Sequence, residues 1–361
     1  MNESAIILSQ ANTVFPSGIL EWGIDVIRAV QAFKSPGLTS FMKIVSSIGT
    51  EYFYMAVVML AFWCLNEKAG FRLGLLVLVS AWANNVLKII VDLPRPYEFY
   101  PLLGLVFEPT RAFPSGHAQN SMTFWISAAF CITSGIYGKG SLFSKIKNIG
   151  PCVWIFSCLM ILLIGFSRIY LGVHYPTDVL GGWVFAFAVL LIFYFLEKPV
   201  SSILYKAPVT GSGEESASVY FSGKRLQLIC AAASALLMTV LLPQDKSLAA
   251  MLLGFCAGYS LMINNFPFVA RNKARFPQLC LRFAVGITGF GIIYLGLSYI
   301  FPGNNSIFKD AAFLEPYYEL ARFIRYSLLG LWASAGAPRL FLKLGLAAAH
   351  DSKALQSDNP S

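Results

Sequence analysis

The sequence predicts an all-α, polytopic membrane protein. Three observations predict it. Hydrophobic residues make up 57% of the 361 positions and charged residues only 12%, against about 25% charge in a soluble domain. Mean hydropathy is +0.64. Several apolar runs approach the ~20 residues that span a bilayer. The net charge of +9 then reads as cytoplasmic loops facing anionic headgroups, not as a nucleic-acid surface.

Residues 15–34 are amphipathic, because Glu21, Asp25 and Arg28 interrupt the apolar face. They read as an interfacial helix or a first span. Residues 52–66 and 70–91 read as spans joined by a short charged turn. The stretch from Asp92 to Pro114 is rich in proline and aromatics and reads as non-helical. Pro114 and Ser115 form a good helix start, which opens a span at 115–136. A basic loop with Lys139, Lys145 and Lys147 follows, then spans at 149–167 and 178–196.

Composition changes at 205–225, where Gly, Ser and Glu read as a linker. Further apolar runs lie near 226–242, 248–266, 280–301 and 318–336, and the tail is polar. The expected division is a core at 1–196, a cytoplasmic linker at 197–225, additional spans within 226–340 and a polar tail at 341–361. The N-terminus has an acidic residue and no basic stretch, so no cleaved signal is expected. Seven cysteines (Cys64, Cys131, Cys152, Cys158, Cys230, Cys256, Cys280) lie mostly in apolar runs at no metal or redox spacing and read as inert thiols.

Lysines and arginines in the loops orient the chain. Placing the 138–148 loop in the cytoplasm also places Lys68, Arg72, Lys198, Lys206, Lys224, Arg225, Arg271, Lys273 and Arg275 there. The 92–114 and 167–178 loops then share the extracytoplasmic side.

Three segments on that side carry chemistry. One runs from Lys88 to Arg95 and Pro96, one is Phe113 to His117, and one holds Arg168, His174 and Asp178. Charged groups at the ends of membrane spans are costly, so they read first as a functional site. Pro176 suits the first position of a helix, which puts Asp178 in a first turn. The imidazole of His174, just before that turn, can then meet the carboxylate. Lys88, Arg95 and Arg168 suit a small anion with two or more negative charges, since guanidinium forks fit phosphate oxygens. Ser115 can add a hydroxyl, and Gly116 lets a helix N-terminus approach the anion. No carboxylate cluster suggests a metal, so protein cations would do that electrostatic work, and no cofactor is expected. His174 would attack phosphorus and His117 would protonate the leaving oxygen, then activate water. Each piece alone has a plainer reading: Lys88 can snorkel, and Ser115-Gly116 can be a mere helix start. Arg111 reads as a solvated loop charge and His350 as inert. Asn84 and Asn85 read as pairing between helices. Asn304 to Ser306 reads as a loop, although it matches a glycosylation acceptor.

Lys88-x₆-Arg95-Pro96, Pro114-Ser115-Gly116-His117 and Ser167-Arg168-x₅-His174-x₃-Asp178 together resemble the three-part signature of the type 2 phosphatidic acid phosphatase (PAP2) superfamily. The resemblance covers roughly residues 15–196. It implies a six-helix core with a metal-free, extracytoplasmic site. It also implies that Lys88, Arg95, Arg168, Ser115 and Gly116 hold phosphate, His174 is the nucleophile, Asp178 orients it and His117 is the acid. Lipid phosphates or diphosphates such as undecaprenyl diphosphate, phosphatidate, phosphatidylglycerophosphate or a sphingoid phosphate are the substrates it implies. The expected partners are therefore this lipid and the surrounding membrane lipids, with no nucleic acid. The aromatic 97–113 loop reads as an interfacial lid or as a simple headgroup anchor. A lipid phosphotransferase using the same site is an alternative, and a transporter or scaffold built on the later spans is a third. The spans after 225 lie outside the usual core of that family.

Overall fold

The computed structural model describes residues 15–134, 149–204, 214–270, 274–300 and 317–347. The 138–148 basic loop, most of the early linker, Arg271, Lys273, Lys309, Asn304 to Ser306 and the tail beyond 347 lie outside the described residues. The elements are helical, as the composition predicts. Six described helices are long and apolar enough to cross a membrane, or seven if one bent pair counts as a span. The chain is a multi-pass membrane protein. It forms two compact units, 1–56 with 76–194, and 57–75 with 195–361.

In the first unit, α1 (Ser17–Gln31) buries Leu20, Ile24 and Ile27, the apolar face of the expected amphipathic helix. At 1.5 Å per residue its 15 residues reach about 22 Å, short of a ~30 Å hydrocarbon core. The sequence reading passed over α2 (Pro36–Ile48). Ser35 caps it by accepting from the Leu38 amide at 3.3 Å, and Pro36 stands at its first turn. A break at Gly49 bends α2 by 52° against α3 (Glu51–Leu60), which continues as a π-turn to Leu65.

α4 (Glu67–Val91) ends where Asp92 adopts a φ of 47°, a left-handed conformation that stops a helix. The following stretch, expected to be non-helical, holds one helical turn at Pro96–Phe99 and a 3₁₀ turn at Pro101–Leu103. α5 (Gly116–Thr133) buries Gln119, Asn120, Ser121 and Thr123. These residues keep it outside the most apolar class although it packs on α6 (Ile149–Tyr170). Ser80 donates to Asn120 at 2.8 Å, and Gln119 donates to the Ser80 carbonyl at 2.9 Å. Such bonds satisfy polar groups where no water can.

α6 runs three residues beyond its expected end, so Arg168 sits in its last turn and not in a loop. The connection to α7 (Pro176–Leu204) is only 171–175. It turns at Gly172, φ 69°, against the Leu103 carbonyl, which leaves no room for a side chain. Ile155, Phe156, Leu159 and Leu162 on α6 and Phe187, Leu191 and Ile192 on α7 are exposed, as expected where lipid is the solvent.

In the second unit, α8 begins at Glu214, inside the stretch read as a linker, and runs to Leu241. It packs on α9 (Ser247–Asn265), which packs on α11 (Tyr318–Leu331). α10 (Phe276–Ile300) closes against α11. A π-turn at Trp332–Gly336 leads into α12 (Ala337–Lys343). Phe62 and Trp63, from the end of α3, are wholly buried here. The Trp63 indole donates to the Ala333 carbonyl at 2.8 Å and meets the Phe341 ring edge-on. Arg282 is 1% exposed and is satisfied by backbone carbonyls of Leu346, Trp63 and Ala270.

Candidate active site

All eight residues singled out in the sequence fall in the first unit. A chain of hydrogen bonds ties their three segments together. Asn84, on α4, donates to the Pro114 carbonyl at 3.2 Å and to Gln119 Oε1 at 2.9 Å, so the first segment grips the second. Gly116 permits this, since a Cβ there would stand 3.0 Å from Asn84 Oδ1. The Ser115 amide donates to the Asp178 carbonyl at 3.0 Å, so the second grips the third. Ser115 also caps α5, accepting from the Ala118 amide at 3.4 Å. Gly182 allows the close crossing, because a Cβ there would lie 2.7 Å from the Ser115 carbonyl.

Arg95 is fully buried. It precedes Pro96, which disfavours helix and holds it extended. Its guanidinium donates to the Thr110 carbonyl, to Thr110 Oγ1 at 3.0 Å and to the Val173 carbonyl at 2.9 Å. Its Nη1 also lies 3.3 Å from His174 Nε2. Arg168 donates to Ser46 Oγ on α2 and pairs with Glu108, and its buried Nε has no partner. Lys88 donates to the Arg111 carbonyl. The Arg111 side chain is a surface group, paired with Asp92 and Glu98.

His174 Nδ1 stands 3.2 Å from Asp178 Oδ2, which also accepts from the Tyr175 amide at 2.9 Å. Both side chains are buried. A proton on Nδ1 satisfies the carboxylate and leaves Nε2 with its lone pair. Burial first, then the charges of Arg95, Arg168 and Lys88, hold the imidazole well below its usual range, so it is neutral at pH 7. The half-buried His117 ring lies against Gly49, whose missing side chain makes room for it: a Cβ there would be 2.9 Å away. His117 is close enough for its charge to bear on both His174 and Glu108.

Glu108 is the member that sequence reasoning missed. Its Oε2 lies 2.9 Å from Arg95 Nη2, and its Oε1 pairs with Arg168. Burial alone would raise its carboxyl. The charges of Arg168, His117 and Arg95 outweigh that and hold it down to about 2. A signal for it existed: three buried cations faced a single foreseen carboxylate, and buried charges are normally paired. What the sequence left open was which acid answers. Chemically, the cluster offers a neutral imidazole with one free nitrogen, a second imidazole and a set of cations that can share an anion.

A family model described as "PAP2 superfamily" matches residues 69–200. A second, described as "PAP2 superfamily phosphatase, transmembrane extension", matches 246–349. The chain belongs to the PAP2 superfamily. This PAP2 protein is a membrane phosphatase by class, and its later helices match a transmembrane extension within the superfamily. It is 29% identical to phosphatidylglycerophosphatase B of Bacillus subtilis (strain 168) over 177 residues, which is 48% of this chain and 80% of that one. It is 25% identical to an undecaprenyl-diphosphatase of Sulfolobus acidocaldarius, over 45% of this chain and 72% of that one. It is also 25% identical to a probable sphingosine-1-phosphate phosphatase of Dictyostelium discoideum, over 50% of this chain and 45% of that one. Among solved structures, a transmembrane PAP2 type phosphatidylglycerolphosphate phosphatase from Bacillus subtilis aligns at a TM-score of 0.44 and 24% identity, covering 54% of this chain and 93% of that one.

Proposed function

We propose that this PAP2 phosphatase hydrolyses a lipid phosphate or diphosphate through a phosphohistidine, without a metal. The observation that carries the reading is the bond from His174 Nδ1 to Asp178, with Nε2 directed to the arginine-lined side at Arg95. In the reaction, Arg95, Arg168, Lys88, Ser115 and the Gly116 amide hold the phosphate oxygens. Arg95 turns from Nε2 to phosphate, and Nε2 attacks phosphorus. The phosphorus–oxygen bond to the lipid breaks, and His117 gives that oxygen its proton. Asp178 stays ionised and stabilises the positive imidazole of the intermediate. Water then gives a proton to His117 and attacks phosphorus. The P–N bond breaks, phosphate leaves, and His174 is restored.

The loop beside the site supports a lipid. Leu102 is 92% exposed and Phe107 is 73% exposed, so apolar side chains face outward next to a charged pocket. Such residues belong at the headgroup level of a bilayer, with the substrate tails remaining in the membrane. All three relatives named above are phosphatases, and the substrates in their names, phosphatidylglycerophosphate, undecaprenyl diphosphate and sphingosine 1-phosphate, define the lipid panel to test. Residues 1–196 hold every group in this mechanism. The distribution of Lys and Arg among the loops supports a site on the extracytoplasmic face of the cell membrane. Cysteines introduced at positions 111 and 145 should accordingly react from opposite sides.

The deciding experiment is phosphate release from that panel by purified protein in detergent with EDTA present. Wild type should release phosphate, and H174A and H117A should not. Activity that vanishes with EDTA and returns with a divalent cation would refute the metal-free route. Covalent ³²P on H174A would refute the nucleophile.

A further inference from the structure

The two arginines most deeply set in the site already share an anion. One oxygen of Glu108 is bonded to Arg95 and the other to Arg168. Two oxygens of a phosphate would use the same fork. Among the described residues, no other carboxylate pairs with either arginine. The arginine side chains are 1% and 2% exposed, whereas that of Glu108 is 24% exposed. The carboxylate is thus the outermost of the three and has somewhere to go. Its backbone stays put, because the Tyr97 hydroxyl accepts from the Glu108 amide at 3.1 Å and donates to its carbonyl at 2.7 Å. A side chain with three rotatable bonds swings from that fixed point.

We propose that Glu108 is an internal occupant of the phosphate subsite, which substrate must displace, and that it thereby excludes singly charged headgroups. This rests on the reading that phosphate binds between the two arginines. A tethered carboxylate competes at a high effective concentration. A phosphodiester brings one negative charge, no more than the group it replaces. A phosphomonoester or diphosphate brings more, and each extra charge counts heavily in a partly dry site. The distinction matters because, on that same reading, the site draws its substrate from a membrane made of phosphodiester lipids. A vacant pair of buried arginines would be filled by them. With Glu108 in place, the apparent affinity for any anion falls by the fraction of time the subsite is free.

The test uses full-length protein in detergent micelles, with inorganic phosphate as the probe and calorimetry as the readout. E108Q should bind phosphate about tenfold more tightly, which corresponds to a subsite free about a tenth of the time in wild type. Phosphatidylglycerol in mixed micelles should compete with phosphate on E108Q and not on wild type. E108D, one methylene too short to span both arginines, should fall between. Equal or weaker phosphate binding by folded E108Q would make Glu108 a strut for the arginines and overturn the proposal. Should the variants not fold, the wild-type arm still decides, because competition by phosphatidylglycerol there also overturns it. Wild type that binds phosphate but releases none from the lipid panel would refute the proposed function and leave the Glu108 result standing.

Discussion

Replacing Asp178 by asparagine probes the nucleophile without touching the cations. The carboxylate holds two hydrogens, His174 Nδ1 at 3.2 Å and the Tyr175 amide at 2.9 Å, and it is completely buried. Asparagine keeps one acceptor oxygen. Both hydrogens fall on the same oxygen, Oδ2, so an asparagine oxygen at that place still serves Tyr175 and Nδ1, and the first turn of α7 and the tautomer survive. What is lost is the negative charge opposite the imidazole when it turns positive in the transition state. A hydrogen bond to a charged group contributes about 1.5–3 kcal/mol. A neutral one contributes about 0.5–1.5 kcal/mol, so the loss is about 1–1.5 kcal/mol, and at about 1.4 kcal/mol per factor of ten kcat should fall by about 5- to 12-fold. KM should change little, because Asp178 is not in the phosphate cradle. The assay is steady-state phosphate release, with thermal unfolding in detergent as the control. If folded D178N keeps more than half of wild-type kcat, or loses only in KM, Asp178 does not orient the nucleophile.

Other perturbations have equally definite outcomes. R168K keeps the charge but loses the guanidinium fork that would grip two phosphate oxygens, so kcat/KM should fall by roughly tenfold or more, about the loss of one charge-assisted bond. N84A leaves a buried amide oxygen of Gln119 and the Pro114 carbonyl without their donor, at about 1–3 kcal/mol per unsatisfied group, and should lower the melting temperature together with activity. G172A puts a methyl into the Leu103 carbonyl at a φ of 69°, which the turn cannot accept, and should reduce the yield of folded protein. Acid should destabilise the protein in two windows. His174 is held well below 6.5 when folded, so the unfolded chain binds more protons below about 6.5, and stability falls as pH drops through that value. Glu108 falls from 4.5 to about 2 on folding, so its contribution is present above about 4.5 and disappears between there and 2. A melting temperature that rises on acidification from pH 7 to 5 would contradict the first window.

Two helix starts in the site were legible because their signals are local. Ser115 before Gly116 and Pro176 before Asp178 each announce a first turn, and each proved to open its helix. α2 escaped notice because Thr39, Ser40, Lys43, Ser46 and Ser47 dilute its apolar run, although its Ser35-Pro36 start was in plain view. The early start of α8 escaped because a helix outside the apolar layer has no apolar stripe to show. Glu108 and Ser46 could not be placed by spacing, since they reach Arg168 from segments 60 and 122 residues away. Gln31 is a similar case. It reaches the carbonyls of Leu103 and Tyr170, and nothing in an amphipathic stretch announces such a bond.

Trp63 has a consequence for how the chain is made. Its carbonyl partner on Ala333 lies 270 residues further on. At ~5–20 residues per second, a ribosome takes roughly 15–55 s to supply it. For most of that interval Phe62 and Trp63 wait for Phe255, Tyr259 and Phe283, the rings they pack against, and lipid or an insertion chaperone must shelter them. Ribosome stalling before residue 333 should therefore leave the early helices accessible to protease, and release of the stall should close them.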